Sequence, residues 1–182
     1  MSKIYRTSQH KSVLETLVNT GRYVLDPEFV CNELRDDDTN RSLVIEPYNW
    51  LASAMPTRDV KPADAEYPVW LSLNTASNYP AADDGVIIEL EIPDEFVAMI
   101  SVEKWSRILD YRYIPADAAD ERRHLEMMAA YGVSDTQACM SNFYPDLKRD
   151  IMASWSRVFD VSDTPDEMCY GLVWELREEW IR

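Results

Sequence analysis

A fold of the α+β class, one small mixed sheet with several packed amphipathic helices, is what the sequence predicts. Three observations point to it. The stretch VIIELEI, residues 86–92, alternates apolar and less apolar positions as a half-buried strand does. Several other stretches space apolar residues three and four apart, as a helix packed on a core does. No internal repeat, low-complexity segment or long linker interrupts the 182 residues, so residues 1–182 read as a single domain.

From the N-terminus, residues 4–7 read as a short strand. Behind it Leu14, Leu17 and Val18 recur at helical spacing. Either Ser8 caps that helix, or Ser12 does so with Glu15 three residues on as a capping box. Gly21 is a natural helix stop. RYVL, residues 22–25, is a second short strand, and Asp26 before Pro27 is an N-cap with proline at the first helical position. After the charged loop RDDDTN a helix opens at Glu46 and Pro47, carries Tyr48, Leu51, Ala52 and Met55 on one face, and ends at Pro56.

YPVWLSL, residues 67–73, is a strand followed by a long loop. In VIIELEI, Val86, Ile88, Leu90 and Ile92 face one side and Ile87, Glu89 and Glu91 the other. Ser101 starts a helix with Trp105, Ile108 and Leu109 inward, and a charged helix over 117–131 stops at Gly132. Residues 145–159 form a helix with Leu147, Ile151, Trp155 and Val158 in register. CYGLVWEL, residues 169–176, is the last strand, with Leu172, Trp174 and Leu176 on one face and Val173 and Glu175 on the other. The residues expected to be most buried are Leu17, Leu51, Ile88, Leu90, Trp105, Ile151 and Trp155.

Composition narrows the function classes. A formal net charge of −15 repels phosphate backbones, which argues against direct nucleic-acid binding and leaves either a solvated acidic face or an acidic surface that engages a basic protein partner. The four glycines are isolated, so neither GxGxxG nor a Walker loop can be built. Cys31, Cys139 and Cys169 are far apart and form no CxxC, which predicts neither a disulfide scaffold nor a zinc site and fits a reducing cytoplasm. No run of about 18 apolar residues spans a membrane, and the first ten residues lack the core of an export signal.

Chemistry-bearing groups are sparse. The histidines are His10 and His124, with no GxSxG elbow beside either. Glu121 and His124 have the i, i+3 spacing of a metal-ligand pair, but their charged helix reads better as a solvated face, and no metal is expected. Glu89 and Glu91 project from one strand face roughly 6.6 Å apart, a spacing compatible with acid–base work that reads better as a polar face in water, since nothing else points to sugars. Trp70 and Trp174 lie on strands, where they are placed to line a cleft.

The pieces IYRT…LETLVNTGRYVLD, YNWLASAM, YPVW, VIIELEIPDEFV, SWSRVFD and LVWEL resemble, in order and over nearly the whole chain, a DUF3841-type family of bacterial and phage proteins. That resemblance implies no activity, since the family is a domain of unknown function. The family favours glutamine in its last strand just before the apolar run, where this chain has Tyr170. The opening layout, a strand ending in Arg6, then a helix and a glycine, is also similar to compact ADP-ribosyltransferases. That second resemblance implies NAD as cofactor, Arg6 as its anchor and Glu175 as the late-strand catalytic glutamate. Trp70 then joins the binding site, and the middle-strand position has no clean match, since neither Tyr67 nor Ser72, which flank Trp70, fits it well.

The sequence leaves open whether the chain is an enzyme. One expectation is an NAD-dependent ADP-ribosyltransferase-like domain, which needs Arg6 and Glu175 to converge in one cleft. Another is a non-enzymatic acidic interaction or inhibitor protein of phage type. It would occlude a basic, nucleic-acid-binding surface of a host factor with a patch drawn from Asp36, Asp37, Asp38, Asp83, Asp84 and residues 117–121. A third is a housekeeping domain with a small-molecule pocket.

Overall fold

The computed structural model describes residues 1–32, 38–73 and 84–182, and of residues 29, 31, 32 and 38–44 the backbone alone. It is of the α+β class. The chain forms two compact units, Met1–Met99 with Thr164–Arg182, and Ile100–Asp163.

The first unit is organised by strand β1, Ser2–His10, which pairs antiparallel with β4, Gly85–Pro93, along its whole length. On its other side β1 meets β3, Val69–Ser72, which in turn pairs antiparallel with β6, Cys169–Val173. The sheet order is β4-β1-β3-β6-β5, where β5 is Ala98–Ser101, a strand the sequence pattern did not disclose. The alternation predicted for β4 holds: Ile88, Leu90 and Ile92 join Tyr5, Leu71 and Val173 in the core, while Ile87 is exposed. The outer edge of β4 is partly covered by the C-terminal residues, through a bridge between Leu90 and Ile181 and a bond from the Arg182 amide to the Glu89 carbonyl at 3.0 Å. Gly171 sits where side chains crowd: a Cβ there would lie 2.9 Å from Val97 Cγ1 and 3.2 Å from Tyr5.

Helix α1, Lys11–Thr20, is capped by neither serine. His10 holds the N-cap position, its Nδ1 accepting the Ser12 amide at 3.2 Å, because β1 runs on to His10 and leaves no room for a cap at Ser8. Gly21 ends the helix in the left-handed region at φ 80°. Helix α2, Pro27–Asn32, opens on Asp26 as expected, whose carboxylate accepts the Glu28 amide at 2.9 Å. Helix α3, Asp38–Ala54, begins well before Glu46 and carries Pro47 inside it. Proline forfeits one backbone bond there, and the buried residues Leu51 and Met55 anchor the turns that follow.

The last predicted strand divides. After β6 the chain turns at Trp174 and Glu175, and Leu176–Arg177 form β7, which pairs with β2, Arg22–Tyr23, in a separate ribbon. The turn puts both Val173 and Leu176 into one core, which an unbroken strand cannot do for residues three apart. Trp174 holds it by donating its indole N–H to the Thr57 carbonyl at 2.9 Å.

In the second unit, Ser101 caps helix α4, Val102–Leu109, with Trp105 and Ile108 buried. Leu109, expected inward, is exposed because it falls in the last turn beyond that stripe. Asp117 and Gly132 bound helix α5, Ala118–Tyr131, as the sequence predicts. Helix α6, Asp135–Met140, starts on a Ser134–Gln137 capping box that the sequence reading passed over. Helix α7, Pro145–Ser154, tightens into a 3-10 turn, Trp155–Phe159. Trp155 is fully buried, donates to the Arg112 carbonyl at 3.0 Å and meets the Tyr111 ring edge-on at 5.8 Å. All seven residues expected in the core are buried.

Two outcomes follow for stability. Trp155→Ala should cost about 3–5 kcal/mol, the usual loss on emptying a large aromatic site, read from denaturant midpoints. Asp120 accepts the Ala116 amide at 2.9 Å and an Arg123 N–H at 2.5 Å, and these bonds hold its carboxyl well below the usual carboxylate range. A depressed carboxyl stabilises the fold above its unfolded pKa, about 3.9, and loses that contribution as pH falls through the folded value. The stability difference between wild type and Asp120→Asn should therefore be full at pH ~7 and shrink below pH ~4.

Candidate functional site

Strand register builds a row of polar side chains on the sheet face away from Tyr5; on β3 and β6 that face is itself buried, with Ser72 6% and Leu172, across from Trp70, 0% exposed. Arg6 on β1 stands directly across from Glu89 on β4 and from Ser72 on β3, and Ser72 stands across from Tyr170 on β6. Directly opposed residues in an antiparallel ladder share a face, so Glu89, Arg6, Ser72 and Tyr170 run across four neighbouring strands, about 14 Å from end to end at about 4.8 Å per strand. Trp70, two residues before Ser72, shares that face, and its ring meets Tyr170 edge-on at 6.2 Å.

The row has one charged pair. Arg6 Nη2 donates to Glu89 Oε2 at 2.5 Å, with the side chains 24% and 36% exposed. The other guanidinium donors of Arg6 and Glu89 Oε1 have no partner among the described residues. Glu91 accepts from Ser2 Oγ at 2.8 Å and lies 3.7 Å from Arg182, so the two carboxylates of this strand face are each paired rather than acting on a common group.

Glu175 lies elsewhere, in an open cleft of about 770 Å³ lined also by Arg22, Lys61, Arg177 and Glu178. Its position follows from the ribbon. Arg22 and Arg177 are direct partners across β2 and β7, and two like charges so placed repel. Glu175 bridges them, with Oε2 2.8 Å from Arg22 Nη2 and Oε1 2.8 Å from Arg177 Nε. Arg22 also meets Asp64 at 3.0 Å; this bond first, and Glu175 after it, holds the Arg22 guanidinium above its ordinary pKa. Arg177 packs over the rings of Phe96 and Trp180, at 4.7 and 5.0 Å from their centres. Glu175 is 8% exposed, a carboxylate held on both oxygens at the cleft rather than free within it. Arg6 and Trp70 are not among the residues lining this cleft, and the structure brings Arg6 together with Trp70's strand face rather than with Glu175.

The other candidates also find places. His124 is buried, not solvated: it stacks on Tyr113 at 4.0 Å and its Nε2 lies 2.7 Å from Asp135 Oδ1. Glu121 meets Arg107 at 3.7 Å instead of sharing a ligand with His124. Among the described residues no group of three or more His, Cys, Asp or Glu side chains could hold a metal ion. Of the expected acidic patch, Asp36, Asp37 and Asp83 lie outside the described residues, and only the backbone of Asp38 is described. Asp84 forms an ion pair with Lys11. Sequence reasoning missed Arg22 and Arg177, which look like ordinary solvated arginines until the ribbon sets them face to face. It touched Tyr170 only as a departure from a family preference.

The antiparallel sheet with its polar row, and the arginine-clasped ribbon beside it, define an α+β protein outside the dinucleotide folds built on glycine-rich loops. The chain belongs to the family described as domain of unknown function DUF3841, whose model matches residues 4–182. No curated protein and no solved structure matches it. No helix among the described residues is long and apolar enough to cross a membrane.

Glu175→Ala should destabilise by about 1–3 kcal/mol, because it leaves two opposed arginines without their shared acceptor while both still reach solvent. Arg6→Ala, which removes a partly buried pair that still reaches solvent, should cost about 1 kcal/mol or less. Chemical denaturation of the two variants checks the order.

Proposed function

We propose that the row face of the sheet binds an NAD-type dinucleotide and that the chain is an ADP-ribosyltransferase-like domain. One observation supports the reading above others: the register that aligns Arg6, Ser72 and Tyr170 on three adjacent strands, with Trp70 beside them. Neither Tyr67 nor Ser72 is a clean match for the middle-strand position in the sequence; that Ser72 stands across from Arg6 supports it there. The late-strand member of the row is Tyr170, and the row's carboxylate is Glu89 on β4.

These residues fit the group chemically. A guanidinium with uncommitted donors suits a phosphate oxygen, a carboxylate suits ribose hydroxyls, and a half-buried indole suits a flat ring. NAD would supply a glycosidic bond to a positively charged nicotinamide leaving group. This chain's residues would hold the ligand: Arg6 from the strand centre, Trp70 by stacking. Glycosidic cleavage with Glu175 as its carboxylate would require that side chain to leave both Arg22 and Arg177 and to meet the ligand from another element.

A second reading, an acidic interaction protein that covers the basic surface of a nucleic-acid-binding host factor, is favoured by large apolar side chains left in water on the second unit. Phe143 is 89% exposed, and Leu125 and Tyr131 are exposed as well. Either reading suits the cytoplasm, since the three cysteines are far apart in the sequence and form no CxxC.

Calorimetry with millimolar NAD tests the first reading. Wild type should give a heat of binding, and Arg6→Ala and Trp70→Ala should each weaken it roughly tenfold, the loss of one charge-assisted bond or one stacked ring. Glu175→Ala, once shown to be folded, should bind as wild type does. Absence of heat from the wild type overturns the reading and leaves the interaction protein.

A further inference from the structure

We infer that the cleft beside the ribbon of β2 and β7 is a docking site for a cationic side chain, the arginine or lysine of a basic peptide segment; the inference deepens the acidic-interaction reading above and rests on it. The cleft is open and of about 770 Å³, the size of a ligand site. It lies wholly within the first unit and shares no residue with the polar row. An open cleft lets a peptide chain continue at both ends, which a closed pocket does not.

The two arginines of the cleft look like an anion clamp, but the anion is already in place. Glu175, buried between them, takes Arg22 on one oxygen and Arg177 on the other. Asp64 holds Arg22 a second time, Glu179 lies 3.5 Å from Arg177, and the rings of Phe96 and Trp180 pack against the Arg177 guanidinium. What the cleft leaves unanswered is negative. Asp59 and Glu178 are exposed and have no ion pair or side-chain hydrogen bond among the described residues. Lys61, the third cation of the lining, answers neither of them: its ammonium rests over the Trp174 ring, 4.7 Å from the centre. Three cations thus face four carboxylates, a net charge of −1. An entering phosphate or carboxylate meets that charge and competes with Glu175 for the arginines. A guanidinium or ammonium meets two free carboxylates and needs no internal bond broken.

Calorimetric titration at low salt with a blocked hexapeptide of alternating arginine and glycine tests this. Wild type should bind it and should not bind the corresponding glutamate peptide. Asp59→Asn and Glu178→Gln should each weaken binding roughly threefold, and together about tenfold, the loss of two solvent-exposed charge pairs. Glu103→Gln and Glu126→Gln remove equally exposed carboxylates from the second unit and change the net charge alike, yet each should alter binding by less than about twofold. Lys61→Gln should tighten the arginine peptide about twofold by removing a competing cation, the direction opposite to that of an anion site. All five positions are exposed, and unchanged denaturation midpoints confirm that the variants are folded. Equal weakening by the four carboxylate variants overturns the cleft and leaves the interaction reading standing, since net charge alone then attracts the peptide. Weakening by Lys61→Gln, or binding of the glutamate peptide, also overturns the cleft. No binding of the arginine peptide by wild type overturns both.

Discussion

The first unit depends on the position of β1 between two antiparallel neighbours. Its nine residues pair with the nine of β4, while Arg6 on its other side meets Ser72 of β3. Because side chains alternate, one register decides two faces together. It sends Tyr5 and Thr7 inward, and Arg6 outward beside Glu89 and Ser72. A slip of one residue would bury the guanidinium and expose the Tyr5 ring, so the packing of the core is also what aligns the polar row. Gly171 belongs to the same constraint, since β6 can lie close to Tyr5 only where it carries no side chain.

The ribbon of β2 and β7 solves a separate electrostatic problem. Two arginines opposed across a two-residue ladder would splay it, and a two-stranded ribbon has little else to hold it. Glu175 supplies one acceptor for each, and the aromatic rings of Phe96 and Trp180 receive the face of Arg177. The carboxylate that looked most available for chemistry is thereby the one most committed to structure. Arg6, whose fork is engaged at one nitrogen and bare elsewhere among the described residues, is the more available group.

How far the sequence could be read follows from which physical signals are local. The period-two pattern of VIIELEI and the glycine stops at Gly21 and Gly132 are properties of a few neighbouring residues, and each appears in the structure as read. The buried stripe of Trp155 and Ile151 was visible for the same reason. What escaped is non-local. Nothing near Glu175 announces that Arg22 will be its partner across the ribbon, and nothing within CYGLVWEL announces that the strand breaks so that Val173 and Leu176 can share a core. β5 is four residues long, too short for a period to show. Arg6 was singled out through the likeness of the opening strand, helix and glycine to a known layout. Its true neighbours, Glu89 and Ser72, required a register that sequence spacing does not encode.

The short C-terminal segment laid along β4 has a bearing on how copies of the protein meet. Strand edges carry unpaired amides and carbonyls that invite a neighbouring chain to add itself to the sheet. On β4 the Glu89 carbonyl and the stretch around Leu90 are already engaged by Arg182 and Ile181. A second molecule seeking to extend the sheet there would have to strip off the residues that follow Trp180, a buried indole of the core. The protein thus carries its own guard against edge-to-edge growth, set at the very residues that fix the height of Glu89.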